Sequence, residues 1–181
     1  MNKQKMNLLD FEEYDLYFDE PGAEEVTDLL QTAAESYAEG KAEPYLLRAY
    51  FLDPRNLSVL VALYRFYYYQ HRLEDARMAA FHALAVSGER LGLPADWSQL
   101  DWAHLGHSAT RSMGLLRFYL LALKGVGYLN LRLGASIAGM AMLAKVREMD
   151  PQDQLGTGAL SPALNDRDQP CAIRIQPTHH R

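Results

Sequence analysis

The residues of this chain best placed for chemistry stand together in Pro94–Ser108, PADWSQLDWAHLGHS. The stretch holds both tryptophans, repeats an Asp-Trp pair five residues apart and spaces two histidines three apart. On a helix His104 and His107 share a face, and Asp101 lies one turn back. The three could offer two imidazole nitrogens and a carboxylate oxygen to a metal ion. No Cys-x-x-Cys or His-Glu-x-x-His accompanies them, and His71 and His82 belong to a different part of the chain. The competing expectation is structural. Trp97, Leu100 and His104 would line one side of a short helix starting near Asp96, with the tryptophans sealing a gap in the fold.

Catalysis has less to stand on. The chain holds no glycine-rich phosphate loop, no nucleophile elbow and no carboxylate pair framed by apolar residues. Gly125, Gly127, Gly134 and Gly139 fall inside or between helices, where they permit close helix contact. No enzymatic activity and no cofactor is expected. Cys171, His179 and His180 lie in a polar, proline-containing tail and receive no role.

At 181 residues and 49% hydrophobic content the chain can bury the core of one domain. A single cysteine builds no internal disulfide and suits a reducing compartment, so a cytoplasmic location is expected. The first 20 residues hold no apolar run of signal-peptide length, so secretion is not expected. The most apolar window, residues 113–133, contains Arg117, Lys124 and Arg132, each costly at membrane depth, and reads as a buried helix. Charge is uneven. Residues 1–40 carry two lysines against eleven acidic residues, a balance of −9, whereas the remainder carries 16 basic against 12 acidic, a balance of +4. So small a basic excess does not suit nucleic acid, and neither nucleic acid nor membrane is expected as a partner.

These side chains must be positioned by helices. From about Glu24 to Asp150, alanine, leucine and tyrosine recur at three- and four-residue intervals, without sustained two-residue alternation. Breakers fall at Gly40, at 53–56, at 88–94, at Gly134 and at Asp150-Pro151, dividing the region into short, paired helices. LDPRN at 52–56 and MDPQD at 149–153 close helices in the same way, because proline lacks an amide donor and clashes with continued helix.

The clearest unit is 57–90. Leu60, Leu63, Tyr64 and Tyr67 follow the W-x2-L-G-x2-Y spacing, and Ala76, Ala80 and Ala83 supply small residues to a second helix. The unit resembles a tetratricopeptide (TPR) repeat, with Tyr64 where a small residue is usual and Gly88 where proline is usual. A second unit at 120–154 resembles the same family through Leu123, Val126, Gly127, Gly139, Leu143, Val146 and Pro151. A degenerate unit at 24–56 keeps Ala42, Leu46, Ala49 and Pro54. The resemblance implies an all-α fold of helical hairpins stacked in a right-handed superhelix. Pro54 and Pro151 are 97 residues apart where two repeats of about 34 would give about 68, which places an insertion at 91–119. The expected organisation is an acidic-aromatic arm over 1–23, a helical domain over 24–154 and a disordered tail over 155–181. The run LRFYLLALKGVGYLNLRLG followed by MDPQDQLG is similar to small TPR proteins encoded among nitrogen-fixation genes. That similarity implies an accessory factor for nitrogenase.

In the TPR family the first helices line a concave ligand surface. Taking about 100° per residue, Leu121, Lys124, Tyr128, Leu131 and Arg132 lie within about 60° of Arg117, and Arg65, Tyr68, Tyr69 and Arg72 cluster on the preceding first helix. Arginine, lysine and tyrosine interleaved in a groove suit a protein partner with an acidic or carboxylate-bearing segment, and Trp97 and Trp102 are further partner-binding candidates. The match to the carboxylate clamp that reads chaperone C-termini is poor, since the expected groove asparagine is present only as Asn130. The segment LLDFEEYDLYFDE (8–20) mixes aromatics with acids as a short linear binding element does, and either docks in its own groove or reaches a partner. The expected function is a non-enzymatic adaptor or accessory chaperone, with a nitrogenase component as partner. The alternatives are a secretion-type chaperone holding a client segment and a metal-handling protein using His104 and His107.

Overall fold

The computed structural model describes residues 24–160, so the acidic arm (1–23) and the tail from 161 onward lie outside the described residues. Every regular element among the described residues is helical: α1 (Glu24–Ser36), α2 (Glu43–Leu52), α3 (Leu57–Tyr69), α4 (Leu73–Leu91), α5 (Trp102–Arg111), α6 (Met113–Arg132) and α7 (Ser136–Met149). Short 3-10 turns occur at Tyr37–Glu39, Trp97–Gln99 and Gly158–Leu160.

Local chemistry explains where the helices stop. Four of them end on the same turn, in which a residue of positive φ lets the following amide reach back to a carbonyl five positions earlier. Gly40, Gly92 and Gly134 supply that conformation at φ 73°, 71° and 87°, and His71 does so at φ 59°. The closing bonds run from the amides of Lys41, Arg72, Leu93 and Ala135 to the carbonyls of Ser36, Tyr67, Gly88 and Asn130. Helix α3 starts where Asn56 Oδ1 accepts from the Val59 amide at 3.2 Å, satisfying one of the donors left open at a helix N-terminus.

The packing is a succession of hairpins: α1 against α2, α3 against α4, and α6 against α7, with α4 lying directly along α6. Alanines make this possible. Ala76, Ala79, Ala80 and Ala83 are buried on α4, giving it a narrow face against which its neighbours settle. Leu57 and Leu60 of α3, Ala83 and Val86 of α4 and Phe118 of α6 form one of the two buried clusters. Leu46, Leu123 and Leu129 are wholly enclosed, each worth roughly 2 kcal/mol of apolar burial.

The structure places the insertion and the start of the tail in detail. The extra residues do not separate α4 from α6, because Gly88 of α4 receives the ring edge of Tyr119 of α6 with no room for an intervening element. They loop out instead and return against the start of α6 and the side of α7, where Leu100 and Leu105 are buried and Lys145 Nζ donates to the Leu100 carbonyl at 3.2 Å. Residues 113–119, counted with the insertion, form the first two turns of α6. Within the expected tail, residues 155–160 are described and held in place. Asp150 accepts from the amides of Gln154 and Leu155, and Asp153 accepts from that of Gly158. Leu155 and Thr157 are buried.

Candidate protein-binding groove

The groove lies between α3 and α6, and its lining follows from helical spacing. Tyr64 and Tyr68, one turn apart, stack with ring centroids 6.0 Å apart and planes inclined by 25°. Tyr69 meets Tyr68 edge-on at 5.6 Å. Across the groove, the Tyr128 ring is 6.4 Å from that of Tyr68, and Arg132, one turn on, donates from Nη1 to Tyr128 Oη at 2.8 Å. The Arg132 guanidinium also lies 5.7 Å from the Tyr128 ring centroid, within cation-π range. Tyr64, Tyr68, Tyr128 and Arg132 thereby form one continuous array across two helices, with Tyr69 against its edge.

Burial sets the electrostatics. The Tyr64 phenol is pushed up to about 12 because its charged form would be desolvated. The Tyr68 phenol is raised chiefly by its hydrogen bond with Tyr128, and Arg132 is held more firmly protonated by its bond to the same phenol. Tyr64 and Tyr68 therefore present neutral rings and hydroxyls at neutral pH, with positive charge at the Arg132 end. Beside them opens a cavity of about 160 Å³, walled by Leu60, Val61 and Tyr64 of α3 and by Phe118, Leu121 and Gly125 of α6.

The candidate residues divide between places. Arg65, Tyr68, Tyr69, Tyr128 and Arg132 flank the groove, Arg65 as part of the cavity wall. Arg72 does not join them. It lies beyond the end of α3, pairs with Glu43 and Asp75 at 2.7 Å each, and covers the buried Tyr67 ring at 4.5 Å. Lys124 also faces elsewhere, donating its Nζ to the Leu155 carbonyl, with its pKa lowered by burial. Arg117 lines a second cavity of about 410 Å³ with Trp102, Met113, Leu120 and Leu155. The reason is geometric. At about 100° per residue, Lys124 sits about 20° to one side of Arg117 and Tyr128 about 20° to the other. A face about 120° wide spans two neighbours, α3 on one side and the insertion with the 150–160 segment on the other.

Tyr64 joins the groove although the repeat pattern places it in the framework. Its signal in sequence is size: a tyrosine where a small residue is usual needs a small residue opposite, and Gly125 provides one. A Cβ on Gly125 would stand 3.7 Å from the Tyr64 hydroxyl.

The Asp-Trp repeat resolves into helix capping. Asp96 Oδ1 accepts from the Ser98 amide at 2.9 Å and opens the Trp97–Gln99 turn, and Asp101 Oδ1 accepts from the His104 amide at 2.9 Å and opens α5. Both carboxyls are held below their ordinary range, Asp96 by hydrogen bonds from Ser98 and Asp101 by the His104 amide. The single helix expected from Asp96 is therefore two elements, with Leu100 and Asp101 extended between them. Trp97 is half-buried against the core, whereas Trp102 is 56% exposed. His104 Nδ1 contacts Asp101 Oδ1 at 2.7 Å and His107 is exposed. No group of three His, Cys, Asp or Glu able to hold a metal ion occurs among the described residues. None of the described helices is long and apolar enough to cross a membrane.

Comparison with known proteins adds a relative. No family model matches the chain, and no solved structure matches it significantly. A protein of Azotobacter chroococcum mcd 1, described as an uncharacterized 19.8 kDa protein in the nifW 5′ region, is 53% identical over 173 residues, covering 96% of each chain. At that identity, over nearly the whole of both chains, the protein described here belongs to the same family as that nifW-region protein.

Proposed function

We propose that this protein is a non-enzymatic protein-binding module of nitrogen fixation, an adaptor or accessory chaperone. Its groove would hold an acidic or carboxylate-bearing segment of a nitrogenase component or of a maturation intermediate. The observation that carries this reading is the array of Tyr64, Tyr68, Tyr128 and Arg132 across α3 and α6. Tyrosine offers a large, stiff contact surface with a hydroxyl at its tip, and arginine pairs with carboxylates in a fork, so the two together favour an anionic peptide. The hairpin pairing supports three TPR-like units in a right-handed superhelix, with α1, α3 and α6 as the first helices. The position of the relative beside nifW supports the nitrogen-fixation setting.

The test is affinity capture from nitrogen-fixing cells under reducing, anaerobic conditions, with the wild-type chain and with a Tyr68→Ala, Arg132→Ala variant. The expected result is a nitrogenase structural or maturation protein retained by the wild type and lost by the variant. Equal retention by both would remove the groove from the reading. Absence of every nitrogenase protein would remove nitrogenase from it.

A further inference from the structure

We propose that the chain's own segment Leu8–Glu20 is the resident occupant of the groove. It would fold back in cis with one aromatic ring in the cavity between α3 and α6 and its carboxylates toward Arg65 and Arg132. The inference rests on reading the groove as a peptide site and names what fills it before a partner arrives.

Three observations converge on this occupant. The first is chemical complementarity. LLDFEEYDLYFDE carries Asp10, Glu12, Glu13, Asp15, Asp19 and Glu20, no basic residue, and four aromatic side chains. The groove offers what such a segment lacks, with Arg65 in the cavity wall and Arg132 beside the tyrosine array.

The second is size. The cavity measures about 160 Å³, and its walls are apolar except for the Tyr64 hydroxyl and Arg65. Apolar cavities of about 150 Å³ accept a benzene ring. One phenyl ring, from Phe11 or Phe18, therefore suits it.

The third is reach. Phe18 stands six residues before the start of α1 and Phe11 thirteen. Extended chain covers about 3.3 Å per residue, so these rings reach as far as about 20 Å and about 43 Å from Glu24. Packed helices are about 8–10 Å apart. Two helix spacings, about 16–20 Å, thus lie within the span of the segment, and the short tether gives a high effective concentration. A partner's carboxylate-bearing segment would compete with the arm for the same surface.

The experiment uses the full chain with photoreactive benzoylphenylalanine in place of Phe11 or, separately, Phe18. Irradiated dilute protein is digested and the crosslinked peptides are identified by mass spectrometry. The expected result is intrachain crosslinks to peptides containing Leu60–Arg65 or Phe118–Gly125. Crosslinking should fall about fivefold when Arg65→Glu and Arg132→Glu are combined. Should that variant fail to fold, raising salt to about 0.5 M in the unaltered chain should reduce the yield in the same direction. Crosslinks confined to other surfaces would overturn the proposal, as would covalent dimers, which would assign the arm to a second copy. The two readings fail separately. If the arm crosslinks elsewhere while Tyr68→Ala, Arg132→Ala still loses its nitrogenase protein, only the resident occupant is wrong.

Discussion

Gly139 of α7 lies so close to Gly127 of α6 that a Cβ added to it would stand 2.7 Å from the Gly127 carbonyl oxygen and 2.8 Å from the Leu131 side chain. The backbone oxygen cannot move aside cheaply, so Gly139→Ala should destabilise by about 1–3 kcal/mol, outweighing the gain in helix propensity. Gly127→Ala meets its neighbours at 3.1–3.2 Å and should cost less. Gly114→Ala, in α6 with nothing within 4 Å, should stabilise by up to about 1 kcal/mol. Urea unfolding of the three variants gives the order directly. A neutral Gly139→Ala would mean that α6 and α7 are not in this contact.

The cap of α3 makes an independent prediction. Asn56 is buried, accepts from the Val59 amide and reaches Asp53 Oδ2 with its own Nδ2 at 3.4 Å. Asn56→Ala should cost about 1–2 kcal/mol, whereas Asn56→Ser should keep most of the stability because its hydroxyl can accept the same amide. Thermal unfolding of both variants checks the difference.

Alkaline pH should weaken the fold through Tyr119. Its phenol is enclosed between α4 and α6 and pushed up to about 12, first by burial and then by the nearby Asp96. The unfolded chain releases this proton near 10 and the folded chain does not, so the stabilisation is complete below pH 10. It is lost as pH rises from 10 to about 12, by up to about 2 kcal/mol. Tyr64 titrates late for the same reason of burial. Phenolate absorbance should show late-ionising tyrosines, and Tyr119→Phe should flatten the alkaline arm of the stability profile. An unchanged profile in that variant would remove Tyr119 as the cause.

Groove substitutions should separate binding from folding. Arg132 is exposed and its contacts are with Tyr128 at the surface, so Arg132→Ala should move Tm by less than about 2 °C. If the groove anchors a carboxylate-bearing segment, the same variant should weaken capture of the partner about tenfold, and Tyr68→Ala similarly. Arg72→Ala should do the reverse, because its guanidinium is committed to Glu43, Asp75 and the Tyr67 ring. It should lower stability and leave capture unchanged.

The sequence made the helix ends legible where a residue enforces them. Gly40, Pro54, Gly134 and Pro151 stop helices through dihedral freedom or a missing donor, which do not depend on tertiary context. The break between α5 and α6 had no such marker. Ser112 performs it alone, closing α5 through its amide and opening α6 by accepting the Leu115 amide on its Oγ at 3.2 Å. A serine between two helical patterns reads as an ordinary helix surface. The proximity of Tyr128 and Arg132 was legible, because spacing alone puts residues on one face. Lys124 and Arg72 went astray because spacing names a face and not the neighbour it meets. Their neighbours, the Leu155 carbonyl and Glu43, come from segments 31 and 29 residues away.

Trp102 and Leu105 provide the test of whether the insertion is structure or surface. Leu105 is 7% exposed and holds α5 on the core, whereas Trp102 is 56% exposed at the rim of the second cavity, beside Met113. Leu105→Ala should therefore cost about 2–4 kcal/mol and Trp102→Ala less than about 1 kcal/mol. Solvent quenching reports the same asymmetry: in Trp102→Phe the remaining Trp97, packed against the core, should quench less than the wild-type average. If Trp102→Ala keeps its stability but loses partner capture, the second cavity is an interface in its own right. If it loses stability as Leu105→Ala does, the Trp102 ring packs inward in solution and the exposed rim is closed.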